Sequence, residues 1–131
     1  MADQKQPDVQ VISNLVVRRD DGHILLIRDP DDERWWLPGE DVRPYQHPDE
    51  RAREVLEKVG GLACRSMSMV FVESFRGRRG WHVVFHYRIE AEGEPTEPEA
   101  GWFAPDELPR TAHGSWERKA VERVLAEPVS A

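Results

Sequence analysis

The chain has 131 residues, 39% of them hydrophobic and 33% charged, with 18 Lys and Arg against 25 Asp and Glu for a formal charge of −7. That length suits a single core, and no apolar run approaches the roughly 18 to 20 residues that a membrane span needs. An acidic surface opposes the counterion release that drives binding to DNA or RNA, so neither polymeric nucleic acid nor a membrane is the expected partner.

In chain order, residues 1–8 form a polar tail without the apolar segment of a secretory signal, and a cytoplasmic protein is expected. Residues 9–17 (VQVISNLVV) and 23–27 (HILLI) are β-branched or apolar runs, and the Asp21-Gly22 turn signal between them predicts a hairpin. Trp35-Trp36-Leu37 ends at a Pro38-Gly39 break. From Pro48 to Val59 the period becomes helical, with Ala52, Val55, Leu56 and Val59 on one face, Pro48 at the first position and Gly60-Gly61 as the stop. Glu50, Glu54 and Glu57 cluster opposite that stripe, with Lys58 at the edge. Cys64 has no thiol partner and is expected to be a small buried hydrophobe.

Residues 67–75 read as a strand and Arg76-Gly77-Arg78-Arg79-Gly80 as its turn. Trp81, Val83, Phe85, Tyr87 and Ile89 then alternate with His82, Val84, His86, Arg88 and Glu90, which predicts a strand with the first set buried and the two histidines partly exposed. An acidic, proline-containing loop over 92–100 leads to Trp102-Phe103. Ser115 reads as the N-cap of a last helix with the stripe Ala120, Val121, Val124 and Leu125. The pattern predicts an α/β fold, a mixed sheet between helices, in one domain over 9–126 with a short tail at 127–131.

Gly39, then Arg53-Glu54-Val55-Leu56-Glu57-Lys58-Val59-Gly60 at ungapped spacing, resembles the box of the Nudix hydrolase family, G-x5-E-x7-R-E-U-x-E-E-x-G-U with U apolar. The approach W-x-L-P-G and a late stretch from Glu99 to Pro109 also fall in family order. The resemblance implies a Nudix-like α/β/α sandwich, one box helix and a C-terminal helix. It also implies Mg²⁺ or Mn²⁺ held at the box, and hydrolysis of a nucleoside diphosphate-linked or other small diphosphate compound. Arg53, Glu54 and Glu57 are then the catalytic candidates, and Glu54, Glu57, Glu50 and Gly39 the metal candidates, since carboxylates at i, i+3 and i+4 aim at one point. The substrate-contacting candidates are Arg28, Arg76, Arg78, Arg79, Glu99, Lys58 and Tyr45. A homodimer is the family-level expectation.

The box departs from the family at three positions: Tyr45 stands at the first glutamate, Lys58 at the last and Gly61 at the final apolar residue. An ammonium has no lone pair to offer a cation and repels it. Two readings follow. The chain is a divergent metal-dependent pyrophosphohydrolase of weakened activity, with Glu50, Glu40 or Glu99 supplying a replacement carboxylate. Alternatively, it is a non-catalytic module that binds a phosphorylated small molecule without metal, Lys58 meeting the phosphate. The arginines of the RGRRG turn suit phosphate oxygens, and one of the five tryptophans could stack on a nucleobase.

Overall fold

A computed structural model describes residues 8–77 and 80–127. Seven strands form one mixed sheet: β1 (Val9–Arg18), β2 (Ile24–Arg28), β3 (Trp35–Trp36), β4 (Gly39–Asp41), β5 (Leu62–Gly77), β6 (Gly80–Gly93) and β7 (Ala100–Phe103). Two helices, α1 (Pro48–Val59) and α2 (Ser115–Ala126), complete it. The strand path is β3-β2-β1-β6-β5, with β4 added to β1 and β7 to β2. The expected α/β architecture is present, and no helix among the described residues is long and apolar enough to cross a membrane.

β1 lies parallel to β6 from Val9↔Trp81 to Arg18↔Glu90, and it is fully or nearly fully buried from Ser13 to Val17. Alternation sends its side chains into two cores. Leu15 and Val17 join Leu25, Tyr87, Ile89 and the α1 stripe Ala52, Val55, Leu56 and Val59. Val16 joins Ile24, Leu26, Leu37 and the α2 residues Ala120, Val121 and Val124. The predicted hairpin meets β1 only beside its turn, at Arg18↔Ile24. Beyond that point β2 pairs with β7 and β3, while β4 lies against Ile12 to Asn14.

α1 has the predicted bounds. His47 caps it by accepting the Asp49 N–H at Nδ1, 3.0 Å, and Gly60 ends it at φ 72°. Both ends are tied to the sheet side: Ser13 Oγ donates to the Pro48 carbonyl at 2.8 Å, Tyr87 Oη donates to Asp49 Oδ1 at 2.5 Å, and Thr96 Oγ1 donates to the Val59 carbonyl at 3.1 Å.

Four expectations need correction. Cys64 is exposed rather than buried, because it lies on β5 at the end of the strand path. His86 is completely buried, since α2 covers the face of β6 opposite Tyr87 and Ile89. Trp81 is 44% exposed, because it pairs with the similarly exposed Val9 at the outer end of the sheet. Ser115 is the first helical residue of α2; Gly114 precedes it as the cap and offers no side-chain hydrogen bond.

Gly61 shows why the final box position is not apolar: its φ is +75°, and a Cβ there would lie 2.1 Å from the Glu94 carbonyl oxygen. Gly61→Ala is therefore expected to cost at least about 2 kcal/mol, read as a lower denaturant midpoint at unchanged slope.

Candidate functional site

The exposed face of α1 carries the box side chains because the opposite face is committed to the core. Glu50, Arg53, Glu57 and Lys58 are exposed and Glu54 is half-buried. Glu54 is enclosed by donors. Gln46 Nε2 donates to its Oε1 at 2.6 Å, Arg51 Nη1 at 3.1 Å, and Arg43 Nη1 reaches both oxygens at 3.2 Å. The Gln46 amide first, then the Arg51 guanidinium, holds the Glu54 carboxyl below its ordinary value. Lys58 Nζ meets Glu40 Oε1 at 3.0 Å, and Arg51 Nη2 lies 3.6 Å from the same carboxylate's Oε2. Glu40 and Glu54 are thus linked through Arg51, with Arg43 and Lys58 at the two ends.

Glu54 and Glu40 offer a divalent cation no free oxygens, while exposed Glu50 and Glu57 have no ion pair among the described residues. A cation needs free carboxylate oxygens at one point, whereas those of Glu54 and Glu40 are occupied by the chain's own cations. Among the described residues no three His, Cys, Asp or Glu side chains converge as a metal cluster. Arg43, Gln46 and Arg51 were not among the residues singled out from sequence. The Arg51–Glu54 spacing of i, i+3 was a legible signal, but the approach of Arg43 and Gln46 depends on how the β4–α1 loop folds back.

The remaining candidates fall in several places. Arg28 Nε donates to Glu99 Oε2 at 2.9 Å, so these two pair with each other. Tyr45 is fully exposed at φ +65°. Arg76 is exposed near the end of β5, while Arg78 and Arg79 lie outside the described residues.

Two adjoining clefts flank β4 and share Trp36, Leu37, Gly39 and Glu40. The smaller, about 290 Å³, contains Arg28, Lys58 and Val55 in its walls. The larger, about 910 Å³, runs over β1 and β6 toward the start of α2 and is walled by Trp36, Phe75, His82, His113 and Trp116. His113 stands edge-on between two tryptophans, its ring 4.7 Å from that of Trp36 and 5.8 Å from that of Trp116. Trp36 remains 39% exposed. One cleft is therefore aromatic, and the other sets Arg28 and Lys58 among the acids Asp29, Glu40 and Glu97.

The family profile described as NUDIX domain matches residues 9–124. The chain belongs to the Nudix family. Among solved structures, a MutT Nudix hydrolase from Burkholderia pseudomallei is 28% identical with a TM-score of 0.69, over 89% of this chain and 98% of that one. An Ap4A hydrolase from C. elegans (15% identical, TM-score 0.67, 91% of this chain and 98% of that one) shares the fold. So does a UDP-X diphosphatase (18% identical, TM-score 0.70, 93% and 64%). No curated protein sequence matches the chain.

Because the folded-state pKa of Glu54 is depressed, its ionic contacts stabilise the Nudix domain above the ordinary carboxyl value and are lost as pH falls through the folded value. The difference in Tm between wild type and Glu54→Gln is expected to be constant from about pH 7 to 5 and to shrink below about pH 4. A scanning series across that range checks it.

Proposed function

We propose that this Nudix domain binds a small nucleotide-like diphosphate compound without a resident metal, the ring in the aromatic cleft and the phosphates toward Lys58. The observation that carries this reading is the Lys58–Glu40–Arg51–Glu54–Arg43 network: the chain's own cations stand where the family resemblance leads one to expect a metal. A diphosphate arriving there exchanges one anion for another, since Lys58 is 73% exposed on its side chain and its pairing with Glu40 is weak enough to open. Arg28 borders the same cleft. The aromatic walls supply stacking that tolerates different rings. The Ap4A hydrolase and the UDP-X diphosphatase, as their names state, act on compounds that join a nucleotide-like group to a phosphate chain, which supports this class of ligand.

A second reading, slow metal-dependent pyrophosphate hydrolysis, is favoured by the retained Arg53-Glu54 and Glu57 and by the 28% identity to the Burkholderia enzyme.

Titration of nucleoside diphosphates in EDTA, followed by tryptophan fluorescence, separates the two readings. The expected outcome is saturable binding that added Mg²⁺ or Mn²⁺ leaves unchanged, with affinity reduced about tenfold in Trp36→Ala. Binding that requires the metal, accompanied by phosphate release, would establish the hydrolase instead. Isothermal titration adds an independent check: Lys58→Glu is expected to take up Mn²⁺ about tenfold more tightly than wild type, because a cation is replaced by a ligand.

A further inference from the structure

A buried polar chain runs beneath the aromatic cleft and ends in it. Glu73 Oε1 accepts from Trp116 Nε1 at 3.0 Å and lies 2.8 Å from His86 Nε2; His86 Nδ1 lies 3.2 Å from Asn14 Nδ2. An indole N–H only donates, so it donates to Glu73 Oε1, and that oxygen, as a carboxylate acceptor, takes a second bond from His86 Nε2–H. His86 is completely buried and its ring stacks on Phe71, the centroids 4.1 Å apart, while the Arg123 guanidinium lies 3.9 Å over the same Phe71 ring. Burial, aided by Arg123, pushes the His86 pKa below its ordinary value against the opposing pull of Glu73, so the ring is neutral at pH 7. Its Nδ1 is then a bare acceptor and must receive the amide N–H of Asn14.

That fixes the Asn14 amide in one of its two orientations, with Nδ2 turned inward and Oδ1 left for another donor. Asn14 is only 4% exposed, yet it borders the cleft. No donor among the described residues bonds its Oδ1. Gly39, which also borders the cleft, has no side chain to cover it: a Cβ at position 39 would sit 3.3 Å from that oxygen. The other buried acceptor in the cleft wall is already engaged, since both oxygens of Glu117 take the His113 N–H, at 3.1 and 3.2 Å.

We infer that Asn14 Oδ1 is a specificity-determining acceptor that selects rings carrying an amino group, with His86 and Glu73 as the positioning residues that keep it from flipping. An amino group on the ring edge donates to Oδ1. An oxo group in its place sets lone pair against lone pair and shuts the amide oxygen away from water without a partner, which is how a polar site rejects a near-isosteric ring. This inference rests on the reading of the cleft as a ring-binding site.

The test compares ligand pairs that differ by amino against oxo, ADP with IDP and CDP with UDP, titrated against the whole chain in EDTA. Wild type is expected to prefer the amino member of each pair by about tenfold. In Asn14→Ser and in His86→Phe both ratios are expected to fall to about one, while quenching of tryptophan fluorescence shows that the ring still enters. The wild-type comparison needs no variant, so a folding failure of either cannot shelter the idea. Equal binding within both pairs overturns the role of Asn14 and leaves the ring-binding reading standing. A preference that survives Asn14→Ser assigns selection to another group and likewise overturns it. If none of the four nucleotides binds, the ring-binding reading falls and takes this inference with it.

Discussion

The constraint on which the rest depends is the burial of β1 on both faces, locked in register by its long parallel pairing with β6. A strand covered on two sides must divide its side chains between two cores, and this one sends Leu15 and Val17 toward α1 and Val16 toward α2. The same strand supplies polar atoms where the cores end: Ser13 ties down the start of α1, and Asn14 meets His86 across the ladder at paired positions. Packing and recognition therefore share a backbone. A one-residue slip in this register would exchange the two cores and scatter both polar contacts at once.

Electrostatically, the domain works against its own overall sign. It has an excess of acidic residues, yet Arg28 and Lys58 line the smaller cleft, and Arg51 and Arg43 continue the ion-pair network that starts at Lys58. Each pair is solvent-exposed in part and contributes little to folding alone. Arg51 is the exception in placement: its side chain is only 16% exposed, and it bridges Glu40 on β4 to Glu54 on α1. It organises the network around itself.

The parts of the fold legible in the sequence were those governed by local periodicity and end signals. Pro48, the apolar stripe and Gly60 define α1 to the residue, because each acts within one or two turns. The alternation in β6 likewise marked a strand, but it could not say that α2 would cover the second face, so His86 looked partly exposed. Parallel pairing of β1 with β6 joins residues more than seventy positions apart, and no local pattern encodes that. At the site, the family resemblance located the helix and its carboxylates, while their partners Arg43 and Gln46 came from a loop whose conformation depends on tertiary packing. The Asn14–His86–Glu73 chain was illegible for the same reason: its members lie on three strands and were read as ordinary sheet positions.

The tethering of α1 at both ends has a consequence for how such a protein changes over generations. Ser13, Tyr87 and Thr96 hold the helix through its termini, and the core holds it through one stripe, so none of the four anchors touches the face that carries Arg53, Glu54, Glu57 and Lys58. Charge on that face can be rewritten at the cost of its surface ion pairs alone. A lineage can thus lose, reverse or regain a cation site one codon at a time while every intermediate stays folded, which makes the scaffold more durable than any chemistry it displays.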